Sequence, residues 1–152
     1  MHSHSLLLAS CFAISCLLVS CQPSRAPKSA SALSPPTAEL HTTRWALYSL
    51  DMQPLAVSPG NDIYFQLSAT ETYVEGQIGC NRFRGSFELP VEGQLRFGQL
   101  LLTKMNCPDL LIESRFMQAL RSTRAYRISG DTLRLYDNKT AASLAELLAS
   151  RP

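Results

Sequence analysis

From residue 44 onward, short runs with apolar side chains two apart alternate with turn residues, the pattern of an antiparallel meander. Arg44-Trp45-Ala46-Leu47-Tyr48-Ser49-Leu50 sets Trp45, Leu47 and Ser49 against Ala46, Tyr48 and Leu50. Apolar groups on both faces predict a strand buried on at least one side, with Trp45 as a core anchor. Pro54 and Pro59-Gly60-Asn61-Asp62 interrupt the pattern before Ile63, Phe65 and Leu67 mark a second strand. Tyr73–Gly79 is its expected hairpin neighbour. Phe83 and Phe87, then Leu95 and Phe97, continue the meander across a turn at Glu92-Gly93. Gly85 stands where a close backbone approach needs it.

The period then changes. Pro108 suits a first helical position and Asp109 a first turn. From Leu110 to Ser122, Ile112, Phe116, Ala119 and Leu120 recur at helical spacing, while Glu113, Gln118 and Arg121 take other faces. Two more strands follow, Arg124–Ile128 and Thr132–Tyr136, around the turn Ser129-Gly130-Asp131. Tyr126, Ile128, Leu133 and Leu135 are the expected inward residues, and Asp137-Asn138-Lys139 makes another turn. Ser143–Ala149 is ambiguous between helix and a closing strand. The order of elements predicts an α+β fold: a small antiparallel, strongly curved β-sheet with one packed α-helix, and no doubly wound arrangement.

The first part of the chain is different. Leu6–Val19 is an apolar run too short for an ordinary membrane span but suited to a signal peptide, although no Lys or Arg precedes it. It ends in Leu18-Val19-Ser20-Cys21, which resembles the bacterial lipobox. The resemblance implies removal of residues 1–20, a thioether lipid on Cys21, and an acyl anchor in the membrane. Gln22 in place of Asp is similar to the signal permitting transfer to an outer membrane, with the domain in the periplasm. Residues 21–41 are rich in Ser, Ala and Pro and read as a flexible tether, leaving 42–149 for one domain.

Composition narrows the functions. Fourteen Lys and Arg against 12 Asp and Glu give a net charge of +2, too weak a basic field for nucleic-acid binding. Of the five cysteines, only Cys80 and Cys107 would remain free of the leader and the anchor. In an oxidising compartment that count invites a disulfide, closing a loop of about 28 residues and stabilising by about 3–4 kcal/mol. Two buried free thiols are the alternative. A metal site is poorly supported because His41, in the tether, is the single histidine after the leader. No Ser-His-acid set, phosphate loop or dinucleotide fingerprint is present. Glu88, Glu92 and Glu113 read as turn or surface carboxylates, so neither an enzyme nor a cofactor is expected. Asn138-Lys139-Thr140 matches a glycosylation acceptor, a chance match in a bacterial lipoprotein.

Three stretches carry a resemblance: Thr43-Arg44-Trp45-Ala46-Leu47, Gly79-Cys80-Asn81-Arg82-Phe83-Arg84-Gly85-Ser86-Phe87, and Thr103-Lys104-Met105-Asn106-Cys107-Pro108. Together they are similar to the META domain family (DUF306), which includes the HslJ-like lipoproteins. The resemblance covers about residues 43–137. It implies a small α+β domain, often a stress-associated lipoprotein, with no established catalytic activity, and it leads to expect a final strand.

Asn81, Arg82, Lys104 and Asn106 form one candidate binding surface, brought together by the cysteine pair. The competing reading makes Asn81 a turn-capping residue and Met105 core filler. Arg121, Arg124, Arg127 and Arg134 form a second candidate, a basic sheet face for an anionic ligand, a lipid or lipopolysaccharide. The expected function is a non-catalytic, monomeric envelope lipoprotein that binds or stabilises another envelope component. A small anionic-ligand or lipid-binding module is the alternative.

Overall fold

The computed structural model describes residues 38–56, 63–105 and 110–150. The expected leader, Cys21 and most of the tether lie outside these residues, as do Asn106 and Cys107. The order along the chain is β1 (Arg44–Leu50), β2 (Gln53–Pro54), β3 (Tyr64–Leu67), β4 (Tyr73–Ile78), β5 (Asn81–Glu88), β6 (Arg96–Leu102), α1 (Leu110–Ser122), β7 (Ala125–Ser129), β8 (Thr132–Tyr136) and β9 (Ala145–Ser150). This is the expected α+β architecture with one helix.

All strand pairs are antiparallel, in the spatial order β6-β5-β4-β3-β1-β9-β8-β7, with β2 added at β1. The sheet curves until its ends meet. Gln94 bridges Ala125, the Leu95 amide donates to the Arg124 carbonyl at 3.2 Å, and the Tyr126 amide donates to the Gly93 carbonyl at 2.9 Å. Bulges assist the bending. One lies between Leu47 and Ser49 against β9, another between Gly85 and Phe87 against β6. A Cβ at Gly85 would collide with the Gln99 carbonyl oxygen, so the close approach at this bulge requires glycine.

The concave side of the sheet is the core. Trp45, Phe65, Leu67, Val74, Ile78, Leu133, Leu135 and Leu147 are fully buried there, and Phe116 and Leu120 of α1 pack onto them. The Trp45 indole N–H donates to the Leu40 carbonyl at 3.1 Å, so the ring is buried without an orphaned donor. Phe65 meets Phe97 edge-on, with centroids 5.5 Å apart.

Several expectations change. The ambiguous segment 143–149 is strand rather than helix from Ala145 onward, as β9, which runs between β1 and β8 and hydrogen-bonds to both. Leu40 is buried, and His41, counted with the tether on sequence, contacts the Ser68 carbonyl through Nδ1 at 2.8 Å and stacks near Phe87. Tyr126 and Ile128 pack inward against the core as expected, though half-buried, whereas Ile112 is only half-buried and Met117 fills the helix stripe instead. The β1–β2 connection is a two-residue turn in which Asp51 (φ 49°) and Met52 (φ 62°) are both left-handed. Asp tolerates that conformation, but Met at the second position does not favour it.

Candidate functional site

The motif residues around the β4–β5 turn divide between the interior and the surface. Asn81 shares the inward side of β5 with Phe83 and is 2% exposed. On α1, Glu113 falls on the stripe of Phe116, Met117 and Leu120 and is 5% exposed. These two polar residues at core positions meet. The Asn81 amide Nδ2 donates to Glu113 Oε2 at 3.0 Å and to the Met105 carbonyl at 3.4 Å. Its Oδ1 accepts from the Met105 amide at 2.8 Å and from the Thr103 hydroxyl at 3.0 Å. Thr103 Oγ1 in turn accepts from the Arg82 amide at 3.0 Å. One side chain thereby ties the start of β5, the segment after β6 and the helix together.

This corrects two sequence-based assignments: Asn81 does not belong to a binding surface, and Glu113 is no surface carboxylate. The signal for both was a polar residue at an apolar position of its own period. Glu113 Oε1 has no hydrogen-bond partner among the described residues and is buried. It would lie 2.8 Å from a Cβ on Gly79, whose φ of 58° already excludes most side chains. Met105 is also corrected, because it is 59% exposed rather than core filler. The chain leaves β6 at Leu102, so strand alternation no longer governs residue 105.

The remaining motif residues face out. Arg82 and Arg84 are exposed on the convex side of β5, and Lys104 is exposed just past β6. Arg82 and Arg84 line a depression of about 570 Å³ with Tyr64, Glu75, Leu101 and Thr103. Glu75 lies opposite Arg84 in register and accepts a 2.9 Å bond from the Tyr73 hydroxyl. That bond to a carboxylate is the main reason the Tyr73 phenol pKa is raised. At the edge of the depression the Arg44 guanidinium stacks 3.6 Å above the Tyr64 ring.

The second expected surface is not brought together as proposed. Arg127 and Arg134 are direct cross-strand partners, but Arg134 Nε pairs with Glu146 Oε1 at 2.8 Å. Arg124 turns to the helix end, where its Nη1 donates to the Arg121 carbonyl at 2.9 Å and the Thr123 carbonyl at 2.6 Å. It satisfies C-terminal carbonyls, where a cation is favoured. Of the four arginines expected on this surface, Arg121 and Arg127 are exposed to solvent.

Among the described residues, no group of three or more His, Cys, Asp or Glu is placed to hold a metal ion, and no helix is long and apolar enough to cross a membrane.

No curated protein is significantly similar to the chain. An NMR structure of a protein from Burkholderia xenovorans is 27% identical, with a TM-score of 0.55, covering 84% of this chain and 99% of its own. A further NMR structure, 23% identical with a TM-score of 0.54, covers 70% of this chain and 88% of its own and shares the fold. The META domain model matches residues 38–148, from the buried Leu40 segment through β9. The chain belongs to the META domain family.

Proposed function

We propose that the chain is a non-catalytic envelope lipoprotein, anchored by lipid at Cys21 in the outer membrane, whose periplasmic domain binds or stabilises another envelope component under stress. The observation that carries the reading is the use made of the motif's most polar residues. Asn81 and Glu113 are spent on holding strands to helix, so the motif serves construction of the domain. Membership of the META family supports the envelope setting.

The Cys80–Cys107 disulfide belongs to the same proposal. Cys80 adjoins Asn81, and Asn81 holds the backbone of Met105, two residues before Cys107, at both its amide and its carbonyl. A bond there would fasten the start of β5 to the approach to α1.

Envelope cross-linking of the parent beside a Cys21→Ala (C21A) variant tests the reading. An outer-membrane protein recovered with the parent and lost with the variant supports it. Identical recovery from both, or fractionation of the parent with soluble proteins, overturns it. An anionic-ligand module is the second reading, favoured by one observation: Arg82 and Arg84 lie together on an open depression.

A further inference from the structure

We propose that the convex face of β4, β5 and β6 docks on an anionic lipid bilayer, with Arg82 and Arg84 receiving headgroup phosphates in the depression and Leu101 reaching below them. This deepens the second reading above and gives the basic groups a defined occupant. Three observations carry it.

The first is charge. Arg82 and Arg84 are two exposed guanidinium groups against one carboxylate, Glu75, among the residues lining the depression. One oxygen of that carboxylate already accepts from Tyr73. Among the described residues neither arginine side chain makes an ion pair, whereas Arg134 and Arg115 hold Glu146 and Asp51. A guanidinium fork matches the geometry of phosphate oxygens.

The second is the apolar material beside those charges. Leu101 is 59% exposed and lies opposite Arg84 in the β5–β6 register. Leu102 also lines the depression and is 37% exposed, and the exposed Lys104 follows two residues later. Basic groups interleaved with exposed aliphatic side chains are the composition of an interfacial membrane surface. A purely soluble anion would leave Leu101 in water.

The third is reach. The chain between Cys21 and Ala38, the first described residue, spans at most about 60 Å when fully extended. An acyl group at Cys21 would keep Ala38, where the domain begins, within that distance of a bilayer.

The test uses the full chain carrying Cys21→Ala, so that no acyl anchor is present in any sample and the leader contributes equally to all. Sedimentation with vesicles of phosphatidylcholine alone is compared with vesicles containing phosphatidylglycerol. The parent is expected to partition preferentially to the anionic vesicles. Arg82→Gln/Arg84→Gln is expected to lower that partitioning by about fivefold per charge, or about thirtyfold for both. Leu101→Ser is expected to weaken binding with the charges intact, and unchanged thermal melting of each variant confirms that the fold is preserved. Equal partitioning of the parent and the double variant, or no preference for anionic vesicles, overturns the proposal. Release by millimolar inorganic phosphate at constant ionic strength also overturns it, in favour of a soluble-anion site. Because no sample is lipidated, these outcomes are independent of whether Cys21 is the anchor.

Discussion

Replacing Asn81 with Ala removes the residue on which three segments converge. Its amide makes three bonds of 3.0 Å or shorter, to Glu113, Met105 and Thr103, and a longer fourth. At about 1 kcal/mol net for each good hydrogen bond, the direct loss is about 3 kcal/mol. The loss is compounded at Glu113, which is 5% exposed and already has one oxygen without a partner among the described residues. Without Asn81 its second oxygen loses the Nδ2 donor as well, and a buried unsatisfied polar group costs a further 1–3 kcal/mol or so. Urea unfolding followed by the fluorescence of Trp45, the single tryptophan, reads the change. With a slope of about 1.5 kcal/mol per molar, a loss of 3 kcal/mol moves the midpoint down by about 2 M. The melting temperature is expected to fall by about 15 °C. The partnership itself is tested by a cycle with Glu113→Leu. In the parent that change leaves the Asn81 Nδ2 donor without its carboxylate acceptor and destabilises, whereas beside Asn81→Ala it removes an unsatisfied buried carboxyl group and is neutral or stabilising. A midpoint shift below about 0.3 M, or additive effects of the two substitutions within about 0.5 kcal/mol, would refute the argument.

Other perturbations separate the remaining forces. Met52→Gly is expected to stabilise by about 1 kcal/mol, seen as a higher melting temperature, because glycine removes the left-handed strain at φ 62° from a residue that is 64% exposed. Gly85→Ala is expected to destabilise by at least about 2 kcal/mol in the same assay, since its Cβ meets the rigid Gln99 carbonyl. Asp137 Oδ1 accepts from the Thr140 and Lys139 amides, and these bonds hold its carboxyl below the usual carboxylate range. A pKa lowered on folding contributes stability above the unfolded value, lost as pH falls through the folded one. The Thr140 amide resonance is therefore expected to titrate with a midpoint below 3.8. Asp51→Asn, which breaks the 2.5 Å contact to Arg115, is expected to cost under about 1 kcal/mol in urea, because both partners are well exposed.

What could be read in the sequence followed from periods that burial enforces. The strand containing Trp45, the hairpins around Phe65 to Phe97 and the turn at Gly130 each have one face that must be covered, so alternation gives their sides directly. The helix was legible for the same reason, but its sides were not fully so. Glu113 lies on the stripe of Phe116, Met117 and Leu120, and a carboxyl group there is tolerated only because Asn81 waits at an equally unexpected position on β5. Neither residue reveals the other along the chain, since they are far apart in sequence. In β9, Ala, Glu and Leu favour helix, yet Ala145 and Leu147 are buried while Glu146 turns out to Arg134. Hydrogen bonding to β1 and β8 on both sides overrides the local propensity. The Asp51-Met52 turn has Met rather than glycine at its second left-handed position, so that half of its geometry had no local marker. The candidate binding residues were mixed because charge alone does not distinguish Arg124, drawn to helix carbonyls, from Arg82 and Arg84, which face solvent.

The most direct test of the proposed anchored, staple-closed domain is the intact mass of the protein purified from the membrane fraction, alkylated at its thiols before and after reduction. The account predicts a chain beginning at Cys21, a mass increment for thioether-linked lipid, no alkylation before reduction and two alkylated cysteines after it. Retention of residues 1–20, an unmodified Cys21, or alkylation of Cys80 or Cys107 without reduction would contradict it.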